Sequence, residues 1–143
     1  MTTETIDVPP DVARVSEGLR DTGYSLNTAI ADIVDNSIAA GATVVDIRMA
    51  ADFSGAVAIS IGDDGCGMDR DGLINAMKYG SDKREDPSSL GKFGMGLKTA
   101  STAFCRRLSL VSRSDQAGSE MRAAWDLDFL SQSNGWGLEL AAP

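Results

Sequence analysis

The chain of 143 residues contains no histidine. That absence excludes a Ser-His-Asp or Cys-His nucleophile system built from these residues, a histidine-ligated metal and a histidine phosphoacceptor. Cysteine is nearly absent too. Cys66 and Cys105 make neither a disulfide framework nor a four-cysteine zinc site. No apolar run approaches the roughly 20 residues of a membrane helix, so no membrane partner is expected. Residues 1–10 lack the basic and apolar regions of a secretory leader. Free thiols without a leader favour a reducing cytoplasm, and the expected localisation is cytoplasmic. Basic residues are outnumbered, 13 against 21 acidic, for a net charge of −8. A broadly basic nucleic-acid surface is therefore disfavoured. Chemistry must run on carboxylates, amides, lysines, glycines and backbone groups.

What is present suffices for one packed domain, because hydrophobic residues make up 43% and charged residues 24%. The charge is uneven. Residues 1–69 carry a balance of −9 and residues 70–143 a balance of +1, so anion contacts are expected in the second part.

Pro9 and Pro10 precede a stretch whose Val12, Val15 and Leu19 recur at helical spacing, and Gly23 ends it. Ser25 or Asn27 caps a second helix that stops at Gly41. Residues 43–49 and 56–61 alternate as strands around a turn at 52–55. Asp69 or Asp71 caps a short helix carrying Leu73, Ile74 and Met77. Residues 79–90 are polar, broken by Pro87, and long for a passive connection. A glycine run and a helix to about Ala103 follow. Residues 107–113 and 119–127 read as a hairpin, and 135–140 as the start of another strand. This order predicts an α+β layer pair.

Three segments carry candidate chemistry. On the second helix, Asp32 and Asn36 lie one turn apart, opposite the arc of Leu26, Ile30, Ile33, Val34 and Ile38. A carboxylate and a carboxamide so stacked suit proton abstraction from water and a hard cation. Directly after a strand comes Ile61-Gly62-Asp63-Asp64-Gly65-Cys66-Gly67-Met68. Asp63 there can accept a hydrogen bond from a ligand amine, and Gly65 and Gly67 admit close approach to the backbone. Third, Gly91-Lys92-Phe93-Gly94-Met95-Gly96-Leu97-Lys98-Thr99 places three glycines before a helix with flanking lysines, an anion cradle that is not a Walker A loop.

In this order the segments Asp32 to Ala42, Asp63 to Met68 and Gly91 to Lys98 resemble the N, G1 and G2 boxes of the GHKL ATPases. That superfamily comprises DNA gyrase B, the ninety-kilodalton heat-shock chaperones, sensor histidine kinases and MutL. Within it, Gly80-Ser81-x-Lys83-Arg84, Phe93-Gly94-x-Gly96-Leu97-Lys98 and Trp125-Asp126-Leu127-Asp128 are similar to the microrchidia (MORC) ATPases and their bacterial relatives. The resemblance covers residues 25–128.

The resemblance implies a Bergerat-type fold, a two-layer α+β sandwich with helices on one face of a largely antiparallel mixed sheet. It implies ATP and Mg²⁺. Asn36 would ligate the metal and Asp63 would receive the adenine amino group. Gly65, Gly67, Met68 and Met77 would shape the base pocket, with Ala40 against the base. Gly91, Lys92, Phe93, Gly94, Met95, Gly96, Leu97 and Lys98 would wrap the phosphates. Residues 79–96 would form a lid containing Ser81 and Lys83, and residues 1–24 an N-terminal arm and helix of the single domain 1–143.

Two positions depart from the family pattern. Asp32 stands where gyrase, MutL and MORC place a Glu as base for the attacking water, and is shorter by about 1.5 Å. Ala39 stands where many relatives have an Asp. The expected function is Mg-dependent ATP binding and slow hydrolysis to ADP and phosphate. Lid closure would gate homodimerisation, and a DNA or protein client would be reached through domains beyond residue 143. The chain is expected to be an N-terminal fragment, weakly active alone. Alternatives are a nucleotide-binding switch with little hydrolysis, a histidine-kinase-type catalytic domain, and an α+β domain that binds no nucleotide.

Overall fold

The computed structural model describes residues 3–21, 23–80, 96–114 and 118–142. Helix α1 (Val12–Arg20) begins where the Asp11 carboxylate accepts a hydrogen bond from the Arg14 amide at 2.8 Å. It buries Val12 and Ser16, one turn apart. Helix α2 (Leu26–Ala39) is capped by Ser25, whose hydroxyl accepts from the Thr28 amide. Gly41, at φ +76°, turns the chain out of it.

The apolar arc expected on α2 is only partly the buried one. Leu26, Ile30, Ile33 and Val34 are half-buried and Ile38 is 63% exposed, whereas Ala29 and Ser37 are buried. Helix α4 (Gly96–Phe104) packs against α2 and buries Thr99, Ala100 and Thr102.

Strands β1 (Val45–Ala51) and β2 (Val57–Asp63) pair antiparallel from Val45 opposite Asp63 to Ala51 opposite Val57. The Asp52 carboxylate ties the hairpin end by accepting from the Ser54 amide and hydroxyl and the Ala56 amide. At the other end Asp64 accepts from the Thr43 hydroxyl at 2.6 Å, and from the Thr43 and Val44 amides at 2.7 and 2.8 Å.

Helix α3 (Arg70–Met77) is capped by Asp69, settling the choice of cap. Its Leu73 and Met77 enter the core with Val12, Ala123, Trp125, Leu127 and Leu130. Strands β3 (Arg107–Ser112), β4 (Met121–Asp126) and β5 (Glu139–Ala141) form a second antiparallel sheet in the order β3-β4-β5. Helices α2, α3 and α4 meet β2, β4 and β3 respectively. The α+β arrangement of helices on antiparallel sheets is as the sequence predicts.

One element departs from the expected order. Strand β4 ends at Asp126, and helix α5 (Leu127–Ser133) follows at once. Asp126 caps it by accepting from the Asp128 and Phe129 amides. Leu127 and Leu130, three residues apart, bury its inner face. At seven residues, α5 is too short for periodicity to separate it from a strand.

The Asp64 staple gives the fold a pH signature. The Thr43 hydroxyl and the Val44 and Thr43 amides lower its carboxyl from 3.8 to about 2. Between those values the unfolded chain binds the extra proton, so stability rises with pH through this window. Below it the contribution is lost. Asp64→Asn is expected to lower unfolding stability above about pH 4 and to flatten the profile between about pH 4 and 2. Denaturant titrations across that range check it, and parallel native and variant curves would refute it.

Candidate functional site

The C-terminal turn of α2 and the end of β2 are joined through one carboxylate. Asp63 Oδ2 accepts from the Ser37 hydroxyl at 2.8 Å, and Oδ1 from the Gly65 amide at 2.9 Å. The Cys66 amide donates to the Ala40 carbonyl at 3.0 Å. A Cβ on Gly65 would lie 2.8 Å from Ala40 Cβ and 2.9 Å from Asp63 Oδ1, so glycine is required by this approach. Two bonds leave this exposed carboxylate with acceptor capacity for a ligand N–H.

At 100° and 1.5 Å per residue, Asp32, Asn36 and Ala40 form one gently drifting row along α2. Ala40 stands beside Gly65, Asn36 about one turn before it, and Asp32 about two turns before it. The Asn36 side-chain amide donates to the Asp32 carbonyl at 2.9 Å, which orients the carboxamide. Asp32 Oδ2 accepts from the Tyr24 hydroxyl at 2.9 Å. That bond, with burial and the carboxylate charge, pushes the Tyr24 phenol up.

Gly67 is left-handed at φ +65°, and a Cβ there would fall 2.0 Å from the Arg113 carbonyl oxygen. The next amide, Met68, donates to the Ser112 hydroxyl at 2.8 Å. The loop after Asp63 is thereby fixed against the end of β3. Met68 is half-buried against the core and Met77 lies within it.

Gly96 and Leu97 open α4 and are half-buried. Lys98 is 2% exposed, and its ammonium donates to the Ala76 carbonyl at 2.9 Å. Burial lowers its pKa from 10.5 to about 8. Ser81, Lys83, Gly91, Lys92, Phe93, Gly94 and Met95, with most of the expected lid, lie outside the described residues.

The structure thus brings Asp63, Gly65 and Ala40 together, with Asn36 and Asp32 in line beyond them. It adds Ser37, Tyr24, Thr43 and Ser112 as supporting groups. Ser37 stands inside the first motif, next to Asn36, but its partner depends on how α2 meets β2. An apolar cavity of about 400 Å³ lies apart from this row. Val15, Leu19, Met77, Tyr79, Trp125 and Trp136 help line it, and none of Asp32, Asn36 or Asp63 does. Polar geometry, and not cavity size, therefore marks the candidate site. Among the described residues no three Asp, Glu, Cys or His side chains converge as metal ligands, and no helix is long and apolar enough to cross a membrane.

Residues 24–143 match the family described as histidine kinase-, DNA gyrase B-, and HSP90-like ATPase, and the chain belongs to that family. Its relatives include ATPase MORC2B of Mus musculus, 31% identical over 91 residues, covering 61% of this chain and 9% of that protein. Protein MICRORCHIDIA 6 of Arabidopsis thaliana is 40% identical over 90 residues, 59% of this chain and 13% of that protein. DNA mismatch repair protein MutL of Enterobacter sp. (strain 638) is 38% identical over 105 residues, 68% of this chain and 16% of that protein. The chain thus spans from 9% to 16% of the length of these three relatives. The GHKL resemblance, with its MORC-like character, is borne out.

The loop geometry is open to test. Gly67→Ala is expected to lower unfolding free energy by about 2 kcal/mol, from left-handed strain and the displaced Arg113 backbone. Gly18, inside α1 with open space around its Cβ position, is the control. Gly18→Ala is expected to raise stability by about 0.5–1 kcal/mol. Equal urea midpoints for Gly67→Ala and the native chain would contradict the packing described.

Proposed function

We propose that this domain binds Mg-ATP and hydrolyses it slowly to ADP and phosphate. The observation that carries this reading is the Asp63 carboxylate, clamped by Ser37 and Gly65, at the base of the row Ala40, Asn36, Asp32. Asp63 accepts a hydrogen bond from the adenine amino group. Ala40, Gly65, Gly67 and Met68 shape the base pocket, Met77 being buried in the core behind it, and the triphosphate runs along α2 toward Asn36 and Asp32. ATP binding accords with membership of the family.

The residues suit Mg²⁺ carried by a nucleotide. Mg²⁺ takes few protein ligands and completes its shell with phosphate oxygens and water. A carboxamide oxygen at Asn36 meets that demand, whereas a cage of three or more acidic ligands is missing among the described residues. When bound, the metal neutralises developing charge on the phosphates.

Asp32 acts as base. As a water oxygen bonds to the γ-phosphorus and the bond to the β–γ bridging oxygen breaks, the Asp32 carboxylate takes the water's proton. Its short side chain makes turnover slow, because near-attack geometry is sensitive to displacements of about 1 Å. Gly91 to Leu97 wrap the phosphates, while the Lys98 ammonium stays inside on the Ala76 carbonyl, and residues 79–96, with Ser81 and Lys83, close over them. Closure promotes homodimerisation of the full-length protein, whose DNA or protein client is engaged by other domains in the cytoplasm. A switch with little hydrolysis is the second reading, favoured by the shortness of Asp32.

Binding of a fluorescent ATP analogue with Mg²⁺ and steady-state phosphate release test the assignment. Asp63→Asn is expected to weaken nucleotide binding about 10- to 100-fold, as for loss of a charged hydrogen-bond acceptor. Asp32→Ala is expected to retain binding while turnover falls by about 10²-fold or more. Failure of the native chain to bind any adenine nucleotide would sink the proposal. Phosphate transferred to an added protein histidine would favour kinase chemistry instead.

A further inference from the structure

We propose that Tyr24 is a positioning residue for ATP hydrolysis, holding one oxygen of the Asp32 carboxylate so that the other is presented to the attacking water. The inference rests on the assignment of Asp32 as base. Its observation is independent: the phenol hydroxyl donates to Asp32 Oδ2 at 2.9 Å. Tyr24 precedes the Ser25 cap of α2 and is half-buried. Cα–Cβ bonds in a helix lean toward its N-terminus, so Asp32 reaches back along α2 toward the incoming chain. Tyr24, entering at that end, spans the remaining distance.

Two features make this contact more than a surface bond. The terminal torsion of an aspartate is broad and nearly two-fold, so an unheld carboxylate samples many planes. One directional O–H donor on Oδ2 narrows that range. The donor is also neutral. Among the described residues no lysine or arginine pairs with Asp32, and Tyr24 is its side-chain hydrogen-bond partner. A neutral phenol orients the carboxylate without the full opposing charge that a lysine or arginine would set against proton transfer. A base shorter than glutamate has less reach, so fixing its plane matters more.

Tyr24→Phe removes one oxygen and is expected to lower kcat for Mg-ATP about tenfold, with KM and nucleotide affinity unchanged. In an Asp32→Asn background the same change is expected to cost nothing further, the non-additivity of two groups acting as a unit. Thermal melts of all variants separate this from loss of fold. The chain has two tyrosines, so ring-labelled ¹³C-tyrosine NMR reads the bond without turnover. The Tyr24 signal should shift in Asp32→Asn while that of Tyr79 stays.

If Asp32→Asn is inactive but Tyr24→Phe is fully active, the positioning role is wrong and the base assignment stands. If Asp32→Asn keeps native turnover, the base assignment fails and this role fails with it. A raised KM at constant kcat, or an additive loss in the double variant, would place Tyr24 in binding or general structure and overturn the proposal. So would an unchanged Tyr24 signal in Asp32→Asn, or a native chain that binds Mg-ATP and turns over none of it.

Discussion

The Asp63 carboxylate is where the rest of the site begins. Neither α2 nor β2 alone would put Ala40, Asn36 and Asp32 in register with the strand end. The Ser37 hydroxyl on one oxygen and the Gly65 amide on the other do so. The contact is tight enough that Gly65 has no room for a methyl group. Once this junction forms, the 1.5 Å rise of a helix determines how far along the groove each later residue stands. The site is therefore measured out by α2, with its zero at Asp63.

That measuring element is held from its other end as well. Ser25 caps α2, and Tyr24 immediately before it bonds to Asp32. The chain thus fixes both ends of the row with side chains next to the helix boundaries. Helices α2 and α4 pack on one another, burying Ala29 and Ser37 of α2 and Thr99, Ala100 and Thr102 of α4 alongside Lys98. Larger apolar residues are gathered instead around α3, β4 and α5. The division is physical: the helix that carries the polar row buries small groups, and the elements behind it supply the apolar core.

Much of this could be read from sequence, and the exceptions have specific causes. The caps at Ser25 and Asp69, each one of two candidates the spacing offers, the hairpin and the α+β order follow from local spacing, whereas the Asp11 cap came from the structure. The Asp63-Asp64 pair is different. Adjacent strand-end residues point to opposite sides, but which side meets α2 is a tertiary fact. Asp64 is consumed by Thr43 and Val44, and Asp63 turns to Ser37. The buried line of α2 runs through Ala29 and Ser37, so its periodic apolar arc overstated the role of Ile38. Helix α5 was hidden because its core contacts, Leu127 and Leu130, occupy one turn. Tyr24 carried no local signal at all, since its partner lies eight residues away across a helix start.

Lys98 shows how residue type and placement separate. Its position after a glycine run suggests an ammonium offered to phosphate, and the charge balance of residues 70–143 points the same way. The described ammonium instead lies in the interior on the Ala76 carbonyl. Desolvation works against its charge and lowers its pKa to about 8, so the bond must offset a burial cost that an exposed lysine avoids. What the bond gains is connection. Ala76 is in the last turn of α3 and Lys98 in the first turn of α4. One hydrogen bond thus joins the helix that precedes residues 78–95 to the helix that follows them. That bond, made inside the molecule, fixes the spacing between the two anchor points.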